Sequence, residues 1–154
     1  MFRENLELIR EEIFLQSTLD KIKLIEYENT NNIFFRNFVL KNFGTAKDKI
    51  KSVWEFVIKN FEYVDDDADE TLIAPKWLLF IKQGDCDDFA LFIKTCYNIL
   101  GIKSYYMIAG KNDNEFTHIV VYADGIIIDG TNDKFNYLSN EYINRKIILW
   151  TYLD

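Results

Sequence analysis

The chain is poor in residues that keep a polypeptide open: its 154 positions hold one Pro and six Gly. With 49% apolar and 16% aromatic residues, this excludes a disordered or low-complexity chain and makes one compact core the default. Long apolar runs are missing too, and none approaches the ~20 residues that span a bilayer. Residues 1–15 interleave Arg3, Glu4, Glu7, Arg10, Glu11 and Glu12 with apolar side chains, unlike the apolar stretch of an export signal. Positive charge is in deficit. The 18 Lys and Arg against 25 Asp and Glu give a net charge of −7, a field that repels nucleic acid and anionic membrane surfaces. No basic cluster overrides it, since Lys47, Lys49 and Lys51 sit among acids and apolar residues on an expected helix.

Cysteine and histidine are scarcer still. Cys86 and Cys96 lie ten residues apart in one expected helix, about 15 Å at a rise of about 1.5 Å per residue. A disulfide needs Cα atoms within ~7 Å, so both thiols are expected to be free, as in a reducing, cytoplasmic compartment. One histidine and two distant thiols argue against zinc, and no cofactor is expected. The acidic run 65–70 places carboxylates at 65, 67 and 69. It lacks the Gly at position six and Glu at position twelve of a calcium loop, having Glu70 and Lys76 there, and reads as a solvated loop.

What is present is a helical first two thirds and a stranded last third. Apolar spacing at Phe2, Leu6, Ile9, Ile13, Leu19, Ile22 and Ile25 predicts one or two amphipathic helices. The polar cluster at residues 28–32 breaks that pattern, and residues 34–43 resume it until Gly44. Thr45 with Asp48 resembles a capping box that opens a helix carrying Ile50, Val53, Trp54, Val57 and Ile58. Pro75 opens a short helix bearing Trp77, Leu78 and Phe80. From Asp85 a strongly apolar helix runs to Gly101, with Asp87, Lys94 and Asn98 as the positions that need water; it is expected to be central and packed on more than one side. Strands follow at 103–109, 118–123 and 126–129, and again at 146–152. Helices first and sheet last favour an α+β domain in which an antiparallel sheet packs against the Cys86 helix.

Cys86 falls at the helix start, where free backbone N–H groups and the dipole favour a thiolate and the oxyanion of a tetrahedral intermediate. Asp85, Asp87 and Asp88 crowd the same turn and oppose a thiolate, so activation is expected to need an imidazole. The sole histidine is His118. Asp124-Gly125 is a two-residue hairpin signal whose register pairs Ala123 with Ile126, Tyr122 with Ile127, Val120 with Asp129 and His118 with Thr131. His118 and Asp129 then lie diagonally on one face, within reach of each other. Nucleophile Cys86, base His118 and orienting Asp129 form a generalised triad.

Gly84-Asp85-Cys86-Asp87-Asp88-Phe89-Ala90, a Leu-Gly-Ile exit at residues 100–102, Thr117-His118 and Ile128-Asp129-Gly130-Thr131 together resemble the transglutaminase-like cysteine peptidase superfamily. The likeness runs from about Val53 to Thr131, and Tyr63, the acidic loop and Ala74-Pro75 also look like the family pattern. It implies a papain-like core, with the Cys opening the central helix and His and Asp on successive strands. It also implies acyl transfer through a thioester, with a peptide or protein as substrate. Two positions depart from the pattern: Ile119 and Gly130 stand where relatives often have an aromatic and a Pro. Gln83 and Trp77 are candidates for the second oxyanion donor.

The expected organisation is a single domain over residues 1–154, with 1–44 a helical extension packed on a catalytic core of 45–154. Its amphipathic segment from Phe2 to Ile25 is an extra packing layer, or else a docking arm for a protein partner or a segment covering the active-site groove. The rival reading is a catalytically silent structural or binding module, such as a virion component, that keeps the fold. A third is amine-resolved cross-linking. Richness in Lys, Ile and Asn fits an AT-rich bacterial or phage genome.

Overall fold

The computed structural model describes residues 2–65 and 71–153, with side chains from residue 16 onward. The acidic run at 66–70 lies outside the described residues. Helix α1 (Phe2–Thr30) is one continuous helix. The polar cluster at 28–32 ends it later than the apolar spacing implies, because Asn29, Thr30 and Asn31 turn their side chains back to the carbonyls of Ile25, Glu26 and Tyr27 at 3.0, 2.7 and 2.8 Å. Asn32 then caps α2 (Ile33–Phe43), its Oδ1 accepting from the Phe35 N–H at 2.9 Å.

Helix α3 (Lys49–Asn60) is opened by Asp48 rather than by a Thr45–Asp48 box. The chain makes a turn after α2, with the Ala46 N–H on the Phe43 carbonyl, so Thr45 is left outside the helix and the Asp48 carboxylate accepts the Lys51 N–H at 3.1 Å. Strand β1 (Glu62–Tyr63) follows, then α4 (Pro75–Ile81) with Pro75 in its first turn. Strand β2 (Gln83–Gly84) pairs parallel with β1, Glu62 opposite Gln83 and Tyr63 opposite Gly84. Two residues per strand carry no readable period, yet this ladder brings Tyr63 within electrostatic reach of Cys86.

Helix α5 (Cys86–Leu100) starts at a full capping box. The Asp85 carboxylate accepts from the Asp88 N–H at 3.3 Å, and the Asp88 carboxylate accepts from the Asp85 N–H at 3.0 Å. It ends at Gly101 (φ 76°), a left-handed position that suits glycine, with the Ile102 N–H closing on the Tyr97 carbonyl at 2.8 Å. Helices α1 to α4 and the main sheet all pack on α5, and every residue from Asp88 to Ile99 is buried. Phe89, Phe92, Ile93 and Tyr97 join Phe35, Val53, Val57 and Val121 in the core, each large side chain contributing roughly 1.5–3 kcal/mol by burial.

Burial of α5 from Asp88 to Ile99 corrects the reading of Lys94 and Asn98 as solvent-facing. Both are buried because α1 brings Glu26 to them: its Oε2 accepts from Lys94 Nζ at 2.6 Å and Asn98 Nδ2 at 2.7 Å, and its Oε1 accepts from the Tyr106 hydroxyl at 2.6 Å. The Lys94 ammonium also lies 4.6 Å from the Trp150 ring centroid. A periodicity argument sees one helix at a time and has no access to a partner charge 68 residues away.

The sheet comprises β3 (Tyr105–Gly110), β4 (His118–Ala123), β5 (Ile126–Ile128) and β6 (Asn144–Ile148), antiparallel in the order β5-β4-β3-β6. Strand β6 begins and ends earlier than the apolar run at 146–152 suggests, and β3 starts two residues later than expected. Alternation divides β4. Ile119, Val121 and Ala123 belong to the core cluster around α5, while Val120 belongs to a second cluster with Met107, Ala109 and Leu138. Among the described residues no helix is long and apolar enough to cross a membrane.

Candidate active site

The three residues singled out in the sequence fall at element ends: Cys86 begins α5, His118 begins β4, and Asp129 follows β5 directly. Asp124 (φ 51°) and Gly125 (φ 75°) make the hairpin turn, giving the expected pairs Ala123–Ile126 and Tyr122–Ile127 and then Val121–Ile128. There the ladder stops, short of the anticipated Val120–Asp129 pair. The Asp129 carbonyl instead accepts from Trp54 Nε1 at 3.1 Å, which ties the end of the hairpin to α3.

The side-chain contact inferred from the register is nevertheless made. His118 Nε2 and Asp129 Oδ2 are 2.8 Å apart, with side chains 9% and 5% exposed. The other oxygen, Oδ1, accepts from the Thr131 N–H at 2.9 Å and the Thr131 hydroxyl at 2.7 Å. Burial alone would raise the Asp129 carboxyl, but the hydrogen bonds from His118 and Thr131 and the imidazolium charge outweigh it and hold the group below its ordinary value. An ionised Asp129 only accepts, so Nε2 must carry a proton. In the neutral ring Nδ1 is then the basic nitrogen.

Helix α5 meets this pair through backbone. The backbone N–H of Ile119, the residue after His118, favours negative charge on the Cys86 sulfur, and the Asp129 charge is felt there and opposes it. Cys86 is a half-buried free thiol, whereas Cys96 is a fully buried one. Burial pushes the Cys86 thiol far up, and the carboxylate of Asp87, whose Oδ1 is 3.8 Å from the sulfur, pushes it the same way; Ile119 N–H opposes them. Cys86 therefore rests as a neutral thiol, with the neighbouring acids adding to the effect of burial. Asp88 is raised to about 7 by burial, against the N–H groups of Ile73 (2.8 Å) and Asp85 that it accepts.

Neither side chain considered as a second oxyanion donor is directed to the site. Gln83 Nε2 lies 3.4 Å from Glu62 Oε2 on the surface, and Trp77 is exposed on α4 with Lys76 over its ring. Two tyrosines border the site instead. Tyr63, 48% exposed, has its hydroxyl raised to about 12 by burial and then by Cys86 and Asp65, so it stays a neutral donor at physiological pH. Tyr142 stacks on the His118 ring. It comes from an irregular segment before β6, where no period or motif marked it. Gly130 accounts for one departure from the family pattern: a Cβ there would lie 2.9 Å from Phe89 Cβ and 3.1 Å from Ile93 Cδ1, so the chain must pass α5 without a side chain.

A family model described as the transglutaminase-like superfamily matches residues 35–144. No curated protein matches the chain. Among solved structures, a candidate protease from Parabacteroides distasonis aligns with a TM-score of 0.55 and 13% identity, over 70% of this chain and 25% of that one. A candidate cysteine protease from Cytophaga hutchinsonii aligns at 0.48 and 23% identity, over 62% of this chain and 36% of that one. LapG of Legionella pneumophila, EGTA-treated, aligns at 0.49 and 18% identity, over 82% and 78%. The chain thus spans only a quarter to about a third of the two bacterial protease structures. A match that takes in α2 through the start of β6, with the Cys86 helix and the His118–Asp129 hairpin inside it, establishes that the chain belongs to the transglutaminase-like superfamily.

Proposed function

We propose that this chain is a cysteine-dependent acyl-transfer enzyme that hydrolyses peptide or amide bonds, with Cys86 as nucleophile, His118 as base and Asp129 orienting the base. The observation that carries the proposal is the 2.8 Å His118–Asp129 pair, supported by the N–H of Ile119, the residue after His118, which favours negative charge on the Cys86 sulfur. His118 Nδ1 takes the thiol proton as sulfur attacks the carbonyl carbon, and the carbonyl π pair moves to oxygen. The Cys86 N–H at the helix start faces that developing charge. Collapse of the intermediate breaks the C–N bond, and the proton on Nδ1 leaves with the amine. Water then attacks the thioester, giving its proton to His118, and the carboxylic acid departs as the thiol is restored.

Neutral Cys86 fits this sequence because the thiol is deprotonated only as it attacks. The same raised thiol is also what favours the rival, a silent binding module that keeps the fold. p-Nitrophenyl acetate separates them. The enzyme reading requires a burst of nitrophenolate and an acetyl adduct on Cys86, abolished in Cys86→Ala and strongly slowed in His118→Ala. Absence of any adduct on Cys86 in the folded protein would leave the binding module.

A further inference from the structure

We infer that Tyr142 is a positioning residue for His118: its ring face fixes the imidazole plane and covers the hydrogen bond to Asp129. The inference rests on the triad reading above. The two rings are 5.0 Å apart between centroids and 20° from parallel. Asp129 anchors Nε2 at 2.8 Å, but a ring held at Cβ and Nε2 alone still turns about the line between them, sweeping Nδ1 through an arc. A flat surface laid against one face removes that motion, and proximity effects in catalysis depend on such restriction.

Tyr142 is itself well held. Its N–H donates to the Ser139 carbonyl at 3.0 Å, its carbonyl accepts from Arg145 Nε at 2.9 Å, and Arg145 Nη2 also reaches the Leu138 carbonyl at 3.3 Å. The ring packs on the cluster of Met107, Ala109, Val120 and Leu138, the sheet face that His118 shares with Val120 by alternation. Asp129 faces the imidazole directly, and the charged and titratable groups felt at Tyr142 are Lys111, Asp129, Cys86 and Glu141, with Tyr63 in turn sensing Tyr142. Beyond Tyr142 lies Lys111, its ammonium 5.8 Å from the Tyr142 centroid and paired with Glu141 at 3.5 Å.

His118 is the only histidine, so its ring N–H proton gives one unambiguous downfield NMR signal. In the wild type and Tyr142→Phe this proton should persist against solvent exchange, and Cys86 should alkylate with iodoacetamide at equal rates. In Tyr142→Ala the signal should be lost to exchange and alkylation should slow by about three- to tenfold, with the circular dichroism spectrum unchanged. Tyr142→Leu, which keeps apolar bulk and guards against a folding artefact, should slow alkylation similarly. A protected N–H and an unaltered alkylation rate in the Ala and Leu variants would overturn the role of Tyr142. His118→Ala is the control for the reading beneath it: if that variant alkylates as fast as wild type, the triad fails, and the N–H signal still decides whether Tyr142 holds the ring.

Discussion

Removing Glu26 is expected to cost this protein a large share of its stability, although the residue lies far from Cys86 in sequence. Glu26 and Lys94 are both 0% exposed and 2.6 Å apart, and the same carboxylate accepts from Asn98 and from the Tyr106 hydroxyl. Deleting it takes the carboxylate at 2.6 Å from a buried ammonium and the acceptor from the Tyr106 hydroxyl, while Asn98 Nδ2 keeps the Thr30 hydroxyl at 3.2 Å. Breaking a buried pair from one side costs about 3–5 kcal/mol, and the Tyr106 hydroxyl left without its acceptor adds up to about 1–3 kcal/mol before relaxation. A domain of this size has only about 5–15 kcal/mol to lose. Glu26→Ala should therefore lower the urea midpoint by a third or more, and Glu26→Gln, which keeps the shape but not the charge, should do nearly as much. Combining Glu26→Gln with Lys94→Met leaves a neutral acceptor for Tyr106 and no charge to satisfy, so the double variant should be more stable than Glu26→Gln alone. Equilibrium unfolding in urea, followed by tryptophan fluorescence, measures all three. A loss under about 1 kcal/mol in Glu26→Ala, or a double variant less stable than Glu26→Gln alone, would refute the claim that this pair fastens α1 to α5.

Three further outcomes follow from the site. Asp87→Asn removes a negative charge beside the Cys86 sulfur, which lowers the thiol pKa; iodoacetamide labelling near pH 7.5 should accelerate by roughly three- to tenfold, and no acceleration would mean that burial alone sets it. Gly130→Ala forces a methyl to 2.9 Å from Phe89 Cβ; the overpacking should cost about 1–3 kcal/mol in a thermal melt and slow Cys86 alkylation by shifting Asp129. Asp88, raised to about 7 in the folded state against about 3.9 unfolded, keeps a proton on folding between those values, so its contribution to stability falls as pH rises from about 4 to about 7. Asp129 acts oppositely: held low, it stabilises above its unfolded value and loses that contribution as acid protonates it. Urea midpoints of Asp88→Asn and wild type across pH 4–8 should therefore converge at the acid end and diverge toward neutrality.

The places of Cys86 at a helix start and of His118 and Asp129 on one hairpin were legible in the sequence because each sits where a local rule is strong. Helix starts and two-residue hairpins are set by a few adjacent residues, so Asp85, Asp88 and Asp124-Gly125 announce them. The same rules misplace what depends on distant neighbours. Lys94 and Asn98 look like surface residues until α1 supplies Glu26. Thr45 looks like a cap until the turn after α2 leaves Asp48 to do that work. The hairpin register foretold the His118–Asp129 contact, but not that Trp54 would take the Asp129 carbonyl and end the ladder at Ile128. Tyr142 had no signal, because it reaches His118 from an irregular segment braced by Arg145. The resemblance to the superfamily was carried by ordered motifs, and the fold it implied is the fold observed.

The central claim is that His118 activates Cys86, and its most direct measurement is the iodoacetamide alkylation rate of Cys86 across pH 6–9 in wild type and His118→Ala. Cys96 makes a poor comparator, because complete burial keeps it slow whatever Cys86 does. Activation of Cys86 by His118 requires His118→Ala to slow the alkylation by roughly tenfold or more near neutral pH. Superimposable profiles in the two proteins would contradict it.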